Sequence, residues 1–459
     1  MVPRMAISWW FSQLDPAPVA RPALAGPRTA DVCIVGAGFT GLWTAYELCR
    51  ADPSLDVVVL EAEVAGFGAS GRNGGWVLGE MAGSPERWAQ RGGREAVLAQ
   101  ARAIRATVDE VGAAVAREGI ECDFRKGGSL HVAQTPLELE RVRARAAHEA
   151  EWGLDGPDGG HMLDAADAAE RIGVAGVLGA RAFPHCARVQ PARLARGLAD
   201  AAERAGATIH EGTRVTRIGD GVAQTAAGDV RAKVVVRATE AYTATLPGLR
   251  RALVPLNSAM IVTEPLDAAT WARLRWDRAE CVLDGRHRYV YLQRTGDGRV
   301  AIGGRGVPYR LGSQTDREGP LPGATARELR ERLVELFPVL EDAGIAGGWH
   351  GVLGVPRDWT PAVGIDRAAR LAWAGGYVGE GVAAANLAGR TLRDLILERE
   401  SELTSLPWVG PLARPWEPEP LRFAGVRAVN ALFAAADARE RRTERPALAA
   451  RLANAVSGR

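Results

Sequence analysis

Six residues near the start of the chain have the types and spacing of a phosphate-binding turn. Gly36-Ala-Gly-Phe-Thr-Gly41 follows an apolar run at 31–35, typical of a buried strand, and precedes apolar residues at helical spacing. Gly36 permits the tight bend, Gly38 lets backbone N–H groups approach a pyrophosphate, and Gly41 allows close helix packing. Because a helix N-terminus attracts anions, the pattern predicts a dinucleotide site.

A carboxylate stands where such a site needs one. The run 57–60 is typical of a second buried strand, and Glu61 follows it at the strand end. There a carboxylate can accept hydrogen bonds from ribose hydroxyls, and we place the adjacent Ala62 in the same site. This completes a βαβ unit. It does not separate FAD from NAD, since both carry an ADP half.

Two further glycine-rich loops favour FAD. In the loop at 66–75, Ser70 can donate to phosphate, while Arg72 and Asn73 can reach polar ring edges. The loop at 375–381 opens into a predicted helix, whose N-terminal dipole suits the negative charge of a reduced flavin but not a nicotinamide. Ordinary surface turns are the alternative. The predicted contacts in these loops are Ala69, Ser70, Gly71, Arg72, Asn73, Gly74, Gly75, Gly376, Gly379, Gly381 and Val382.

The composition excludes several other classes of site. Lys126 and Lys233 are the only lysines, which disfavours imine chemistry on a lysine amine. The five cysteines show no C-x-x-C spacing, so we predict no disulfide framework and no metal. A net charge of +2 without a basic stripe argues against nucleic acid. No apolar run approaches the roughly 18 residues of a membrane span, so we expect a cytoplasmic protein without membrane contact.

The elements that must position these loops suggest two α/β units and a tail. Short predicted strands between 208 and 236 form a β-meander that returns to the first unit. We predict a discontinuous dinucleotide-binding domain at 28–84, 185–250 and 345–400, a second domain at 85–184 and 251–344, and a Pro/Trp-rich linker with a helical tail at 401–459.

Taken together, the motifs resemble those of the D-amino-acid-oxidase-like FAD-dependent oxidoreductases, and most of all their gamma-glutamylputrescine oxidase-like branch. The resemblance lies in Val35–Gly41, Glu61, Ala69–Gly75, Val189–Pro191 and Gly376–Val382. It implies an α/β fold with a glutathione-reductase-like FAD-binding domain and an inserted α+β substrate domain of mainly antiparallel sheet. It also implies oxidation of a C–N bond by hydride transfer to flavin N5, giving an imine, with Val215 near the adenine and Ala238 in the cofactor site.

Four departures from the family pattern narrow that expectation. Glu240 replaces the usual glycine after Ala238-Thr239, and Leu353 stands where amino-acid oxidases carry an arginine for the substrate carboxylate. Ala301 stands where sarcosine-oxidase-like members have an oxygen-activating lysine, and Gly351 where they tether the flavin through a cysteine. We therefore expect noncovalent FAD, a primary or secondary amine as the small-molecule substrate, and O2 or another electron acceptor.

Five residues are candidates for contact with the substrate. Tyr289 and Tyr291 alternate on a predicted strand and so share a face. His350 is a candidate proton acceptor, since the amine lone pair must be free before a hydride leaves, and its neighbour Trp349 is a candidate contact. Arg305 is a candidate partner for an anionic substrate arm. Packing or solvation is the competing interpretation for each.

Three other functions stay open at the level of sequence. They are an oxidase or dehydrogenase of an amino acid, a flavin monooxygenase that uses NAD(P)H, and a flavin-bearing subunit of a multi-component dehydrogenase. The sequence does not determine the oligomeric state.

Overall fold

The structure is a computed structural model, and it describes residues 7–305, 309–315 and 321–457. The strands, in chain order, are β1 (Arg28–Val35), β2 (Val57–Leu60), β3 (Trp76–Leu78), β4 (Arg125–Lys126), β5 (Ser129–Ala133), β6 (His161–Leu163), β7 (Gly179–Phe183), β8 (Cys186–Arg188), β9 (Thr208–His210), β10 (Val215–Gly219), β11 (Val222–Thr225), β12 (Gly228–Arg237), β13 (Val254–Thr263), β14 (Cys281–Asp284), β15 (Tyr291–Arg294), β16 (Val300–Arg305), β17 (Ile345–Val355), β18 (Ala362–Asp366) and β19 (Leu371–Gly375). The helices are α1 (Trp9–Ser12), α2 (Phe39–Ala51), α3 (Pro85–Ala89), α4 (Gly93–Glu118), α5 (Pro136–Glu151), α6 (Ala165–Arg171), α7 (Pro191–Arg204), α8 (Ala268–Leu274), α9 (Gly323–Leu336), α10 (Gly381–Ile396), α11 (Leu421–Thr443) and α12 (Leu448–Ser457).

The first of two large sheets contains the predicted βαβ unit. Its parallel centre runs β9-β2-β1-β12-β19, with β18 antiparallel at one edge and the hairpin β10–β11 on β12. Strand β2 and the second half of β1, Val32–Val35, are apolar and buried, as in the centre of a parallel sheet. Helices α2 and α10 approach so closely that a Cβ on Gly389 would lie 2.8 Å from the backbone of Trp43. A glycine is required at that crossing.

The second sheet has the order β17-β13-β16-β15-β14-β5-β7-β6 and is antiparallel except at β14–β5. One face packs against α8 and α9 through residues such as Ile261 and Leu329. The other face turns toward α1 and the first unit through Met260 and Trp349. A small sheet, β3-β8-β4, is formed by the segments that connect the two units.

Two of the predicted domain boundaries are wrong by one element each. Strand β17 pairs with β13 along its length, so residues 345–355 belong to the second sheet rather than to the dinucleotide-binding domain. Helix α4 contributes Val97, Ile104 and Val108 to the core of the first sheet, although we placed it in the second domain. The domain to which β17 and α4 belong is decided by the sheet that each contacts, and the periodicity of the sequence does not show that sheet.

The described part of the tail, residues 401–457, begins on the first unit, and further along it contacts the second sheet and the turn at His287. Trp408 is fully buried in the core of the first sheet, and the indole of Trp416 donates to the carbonyl oxygen of Val355 at 2.8 Å. Helices α11 and α12 then form a hairpin. Among the described helices, none is both long and apolar enough to cross a bilayer.

Candidate active site

A long cleft opens at the carboxyl ends of β1, β2 and β12, where ligands bind in open α/β sheets. We call it the cofactor cleft. It encloses about 1220 Å³ of atom-free space, part of it open to solvent, which is ample for a dinucleotide. Its lining includes twelve predicted cofactor residues: Gly36, Gly38, Glu61, Ala62, Ala69, Ser70, Asn73, Val215, Ala238, Gly379, Gly381 and Val382.

The glycine turn at 36–41 folds as its spacing predicts. Gly36 has φ +104°, and a Cβ there would lie 2.6 Å from the carbonyl oxygen of Ala238. A Cβ on Gly41 would lie 1.9 Å from the oxygen of Gly36, so Gly41 faces the turn rather than the cleft. Helix α2 starts at Phe39 with no side-chain cap, and the Phe39 N–H donates to Ser70 Oγ at 2.8 Å. Its N-terminus is suited to an anion such as pyrophosphate.

Glu61 lies at the end of β2 and points into the cofactor cleft. Its Oε2 accepts from the N–H of Ala37 at 2.8 Å, and its Oε1 from the N–H of Glu63 at 2.9 Å. Burial raises the pKa of Glu61 to about 7, although both N–H groups counteract that shift. The two hydrogen bonds therefore fix the carboxyl group of Glu61 at the wall of the cleft.

Glu240 is a second carboxylate in the cleft, and in the sequence it stands out only as a departure from the family pattern. Its Oε2 accepts from the N–H of Gly354 at 2.6 Å, while Oε1 accepts from the N–H groups of Gly376 and Tyr377 at 3.1 and 3.2 Å. Gly376 therefore faces Glu240, where we had predicted a cofactor contact. Burial raises the pKa of Glu240 to about 7 against the effect of these donors.

The loop at 375–381 leads into α10, whose first residues line the cleft. Helix α10 has no side-chain cap at its N-terminus, so its first N–H groups and its dipole are directed to this end of the cleft. Tyr377 anchors the loop because its Oη lies 2.9 Å from Oγ1 of Thr40.

The 66–75 segment, here called the glycine loop, is held from behind by three side-chain donors. Ser8 Oγ donates to the oxygen of Gly71 at 2.6 Å, and the indole of Trp349 donates to that of Arg72 at 2.9 Å. The indole of Trp10 donates to the oxygen of Asn73 at 3.0 Å. Three consecutive carbonyl groups are thus fixed. Trp349 is buried here, with its ring 5.6 Å from that of Trp10, and its contact with a substrate stays a prediction.

Arg72 also has a different place from the one predicted. Its Nε donates to the oxygen of Phe67 at 2.9 Å, and its Nη1 to the oxygen of His350 at 3.3 Å. The guanidinium lies 4.6 Å from the ring centre of Phe67. Arg72 is 5% exposed and joins the glycine loop to β17. It does not line the cleft, where we had expected it to reach the edge of a ring.

Asn73 shapes the turn at the end of the glycine loop. Its Nδ2 donates to the oxygens of Ala69 and Ser70, and its Oδ1 accepts from the N–H of Gly75. The neighbouring glycines make room for the second sheet, because a Cβ on Gly74 would lie 2.6 Å from the Tyr291 ring. Gly71 and Gly75 are likewise packed against protein atoms, and neither lines the cleft.

Tyr291 and Ser258 form a polar pair on the face of the second sheet that is turned toward the glycine loop. Their hydroxyl oxygens are 2.6 Å apart, and the ring of Tyr291 lies across Gly303 and packs edge-on against Trp76. Burial raises the pKa of Tyr291 to about 12, so the phenol stays neutral near pH 7. A neutral phenol can donate a hydrogen bond but cannot act as a base at that pH.

Arg305 and Tyr289 lie beside that pair. Ser258 is directly opposite Arg305 in the β13–β16 register, which puts both side chains on one face. The Arg305 guanidinium is 5.9 Å from the ring centre of Tyr289, which precedes β15 and is 38% exposed. Arg305 and Tyr289 therefore lie close together near Ser258, and their contact with a substrate stays a prediction.

His350 is on the opposite face. It pairs with Ala259 in the β13–β17 register, while Ser258 pairs with Gly351, so the side chains of His350 and Ser258 point in opposite directions. His350 Nδ1 lies 3.2 Å from Oδ1 of Asn257. The sheet therefore separates His350 from the Tyr291–Ser258 pair, and its role as a proton acceptor stays a prediction.

Several residues of the cleft had no recognisable signal in the sequence. They are Phe39, Thr40, Glu63, Phe67, Arg214, Thr239, Tyr242, Leu246, Val352, Tyr377 and Ala385. Most contribute apolar or backbone surface, for which no residue type is required. The βαβ spacing predicts where the cleft is, but not which neighbouring side chains reach it.

These features define a flavoprotein site, and comparison with known proteins gives its family. The chain matches the family model described as FAD dependent oxidoreductase (DAO) over residues 31–395, and it belongs to that family. It is an FAD-dependent oxidoreductase, and the resemblance inferred from the motifs is confirmed.

Named relatives agree with this assignment. The gamma-glutamylputrescine oxidoreductase of Escherichia coli (strain K12) is 31% identical over 388 residues, which cover 83% of this chain and 87% of the relative. The glycine oxidase of Geobacillus kaustophilus (strain HTA426) is 25% identical over 390 residues, covering 82% and 96%. The crystal structure of glycine oxidase from Geobacillus kaustophilus superposes with a TM-score of 0.70 at 23% identity, covering 85% of this chain and 100% of that one. This last likeness concerns the fold.

Proposed function

We propose that the protein oxidises a C–N bond of a primary or secondary amine by hydride transfer to N5 of noncovalent FAD, releasing an imine. The cofactor cleft would hold FAD with the ribose at Glu61, the adenine near Val215, the pyrophosphate at Ser70 and the α2 N-terminus, and the pyrimidine end at α10. FAD, when bound, supplies the hydride acceptor. The residues of this chain bind, orient and shield the reactants.

The second sheet would act as the substrate domain. Its face toward the glycine loop presents the Tyr291–Ser258 pair, which supplies hydroxyl groups for a substrate nitrogen. Since Tyr291 stays neutral, we propose that the amine reaches this pair with its lone pair already free. O2 or another electron acceptor would complete the cycle.

The observation that carries the choice of an amine over an amino acid is Leu353. This side chain lines the cofactor cleft and is directly opposite Leu256 in the β13–β17 register. An α-carboxylate placed against this pair would lose its hydration without gaining a guanidinium. Burial of an unpaired charge costs several kcal/mol, which corresponds to about a hundredfold or more in kcat/KM.

Stopped-flow flavin reduction under anaerobic conditions tests the proposal. Each amine is compared with its α-carboxylated counterpart at equal concentration. We expect the amine to reduce the flavin faster in every matched pair. Faster reduction by the carboxylated member throughout the panel would contradict the proposal.

Arg305 supports oxidation of an amino acid as the second candidate function, because it shares the sheet face with Ser258. If carboxylated substrates react faster, the variant Arg305→Met decides whether this side chain binds them. Loss of the preference in that variant establishes the second candidate, whereas an unchanged preference excludes Arg305 as the carboxylate partner.

Noncovalent binding has its own structural support and its own test. A Cβ on Gly351, where relatives carry the tethering cysteine, would lie 3.0 Å from Cβ of Arg72 and so point at protein rather than the cleft. The residues that line the described cleft include neither cysteine nor histidine. Acid precipitation should release the flavin into a yellow supernatant, and flavin retained in the pellet would contradict this.

A further inference from the structure

The family match ends at residue 395, but the chain continues into α11, a helix of 23 residues. The N-terminal part of α11 belongs to an apolar cluster at the edge of the cofactor cleft. Phe423 and Val426 pack in this cluster together with Leu256, Leu353 and Val378. Leu353 lines the cofactor cleft itself, and Val378 is in the loop that precedes α10. The tail therefore reaches the edge of the cleft.

The C-terminal part of α11 is fixed to the turn that leads into Tyr289 and Tyr291. Asp437 accepts from the backbone N–H groups of His287 and Arg288, at 3.0 Å each. The ring of Phe433 stacks on the imidazole of His287 at 5.8 Å. Glu440 adds an ion pair with Arg141 at 2.7 Å. Because of these contacts, the polar atoms of His287, Asp437 and Glu440 lie within 4.8 Å of one another.

These two attachments define where the middle of α11 must lie. Val426 and Asp437 are eleven residues apart, which corresponds to about 16 Å along a helix. The first end is at the apolar cluster beside Leu353, and the second is at the turn whose Arg288 donates to the carbonyl oxygen of Arg305 at 3.4 Å. The helix therefore extends beside the face of the second sheet that carries Ser258 and Arg305, and we call the space over this face the substrate compartment.

We propose that α11 forms the outer wall of the substrate compartment, and that Phe423 and Val426 determine specificity by contacting an apolar arm of the amine. The inference rests on the proposed function for the identity of the substrate. Leu256, Leu353, Val378, Phe423 and Val426 are each only half-buried and pack in one cluster, and Leu353 of this cluster lines the cleft. The substrate class is an amine whose chain beyond the reacting carbon is apolar.

The discriminating measurement is the KM for flavin reduction across n-alkylamines from methylamine to hexylamine, on the full-length holoenzyme. Truncation of an apolar wall weakens binding of the long amines by about tenfold per side chain, while methylamine does not reach the wall. We expect this selective rise in KM in Phe423→Ala and, more weakly, in Val426→Ala. Leu421→Ala is the matched control, because Leu421 is on the same helix but 66% exposed.

A second readout needs no turnover. Iodide quenching of the flavin fluorescence measures access to the bound cofactor, and it should increase in Phe423→Ala and in Asp437→Ala, which detaches the other end of α11, but not in Leu421→Ala. If only amino acids reduce the flavin, the proposed amine function fails, and the wall is tested with short and long apolar amino acids instead. If substrates are accepted but both length discrimination and quenching stay at wild-type values, the inference about α11 is overturned.

Discussion

Glu240 combines an unusual backbone with an unusual set of partners. Its φ of +43° is in the left-handed region that non-glycine residues seldom adopt. The conformation directs its carboxylate at N–H groups from the end of β17 and from the loop before α10. The same side chain thus joins the two sheets at the cofactor cleft. Glu240, which replaces the family's glycine, therefore holds the loop before α10 in position by hydrogen bonds.

The pH dependence of the apoprotein should reveal this carboxyl group. Because the folded-state pKa of Glu240 is raised to about 7, the native state retains a proton that the unfolded chain loses near pH 4.5. The wild type therefore loses stability as the pH rises through this window. We expect the Tm of Glu240→Gln, relative to wild type, to shift in favour of the variant between about pH 5 and pH 8.

The control for this experiment is Glu341→Gln, which replaces an exposed carboxylate. Its Tm difference from wild type should be constant over the same range. A constant difference for Glu240→Gln as well would show that Glu240 keeps the same protonation state folded and unfolded. Glu61 contributes its own pH dependence, so each protein must be compared with the wild type at every pH.

At the scale of elements, the glycine loop depends on a helix from outside the family region. Helix α1 supplies two of the three donors that fix the loop carbonyls, Ser8 and Trp10, and the carbonyl oxygen of Trp10 in turn accepts from Gln190 at 2.7 Å. A loop with so many glycines loses much conformational freedom when it binds a ligand. We infer that α1 reduces this cost by ordering the loop beforehand.

Trp10→Phe tests that inference, because it removes the indole donor and keeps an aromatic ring. Loss of one such hydrogen bond is worth about 1 kcal/mol, so FAD should bind about fivefold to tenfold more weakly. Titration of apoprotein with FAD, followed by flavin fluorescence, gives the affinity. Trp9→Phe is the control, since Trp9 is on the same helix with its ring 5.3 Å from the Arg299 guanidinium. Equal affinities for Trp10→Phe and wild type would exclude a role for α1.

The same elements show which features the sequence could predict. The βαβ unit and its cleft follow from spacing alone, since strand, glycine turn and helix are adjacent in the chain. The sheet face on which His350 lies does not follow from spacing, because a register shift of one residue moves every side chain of a strand to the other face. The place of β17 depends on a partner strand about 90 residues away, β13. Glu240 meets its partners only after both sheets have formed.

At the scale of the whole molecule, a buried ion-pair network connects the region after β3 to the second sheet. Arg181 on β7 contacts Glu80 at 3.1 Å and Glu149 on α5 at 2.6 Å. Arg145 on α5 contacts the same two carboxylates at 2.5 and 3.0 Å. Burial alone would raise the pKa of Glu80, but Arg145 and Arg181 together lower it to about 2. The ionised Glu80 carboxylate therefore stabilises the folded state fully above about pH 4.5, and this stabilisation is lost as the pH falls toward 2.

The two arginines differ in exposure, and this difference predicts unequal contributions to stability. The side chain of Arg181 is 4% exposed and that of Arg145 is 39% exposed. Arg181→Met leaves two carboxylates without their buried partner and should lower the free energy of unfolding by about 3–5 kcal/mol. Arg145→Met removes the more exposed partner and leaves Arg181 in contact with both carboxylates, so we expect a smaller loss than for Arg181→Met. Urea unfolding of the holoenzyme at pH 7 measures both.

A double variant distinguishes loss of the Arg181–Glu80 ion pair from loss of packing as the cause of the lower stability. If Arg181 acts by neutralising Glu80, then Arg181→Met combined with Glu80→Gln should recover part of the stability lost in Arg181→Met, since no unpaired carboxylate remains at that position. Additive losses would instead show that Arg181 contributes through packing, for example against Phe183, whose ring centre is 5.1 Å from the guanidinium. Equal losses of unfolding free energy for Arg181→Met and Arg145→Met would show that the exposure of an arginine does not determine its contribution here.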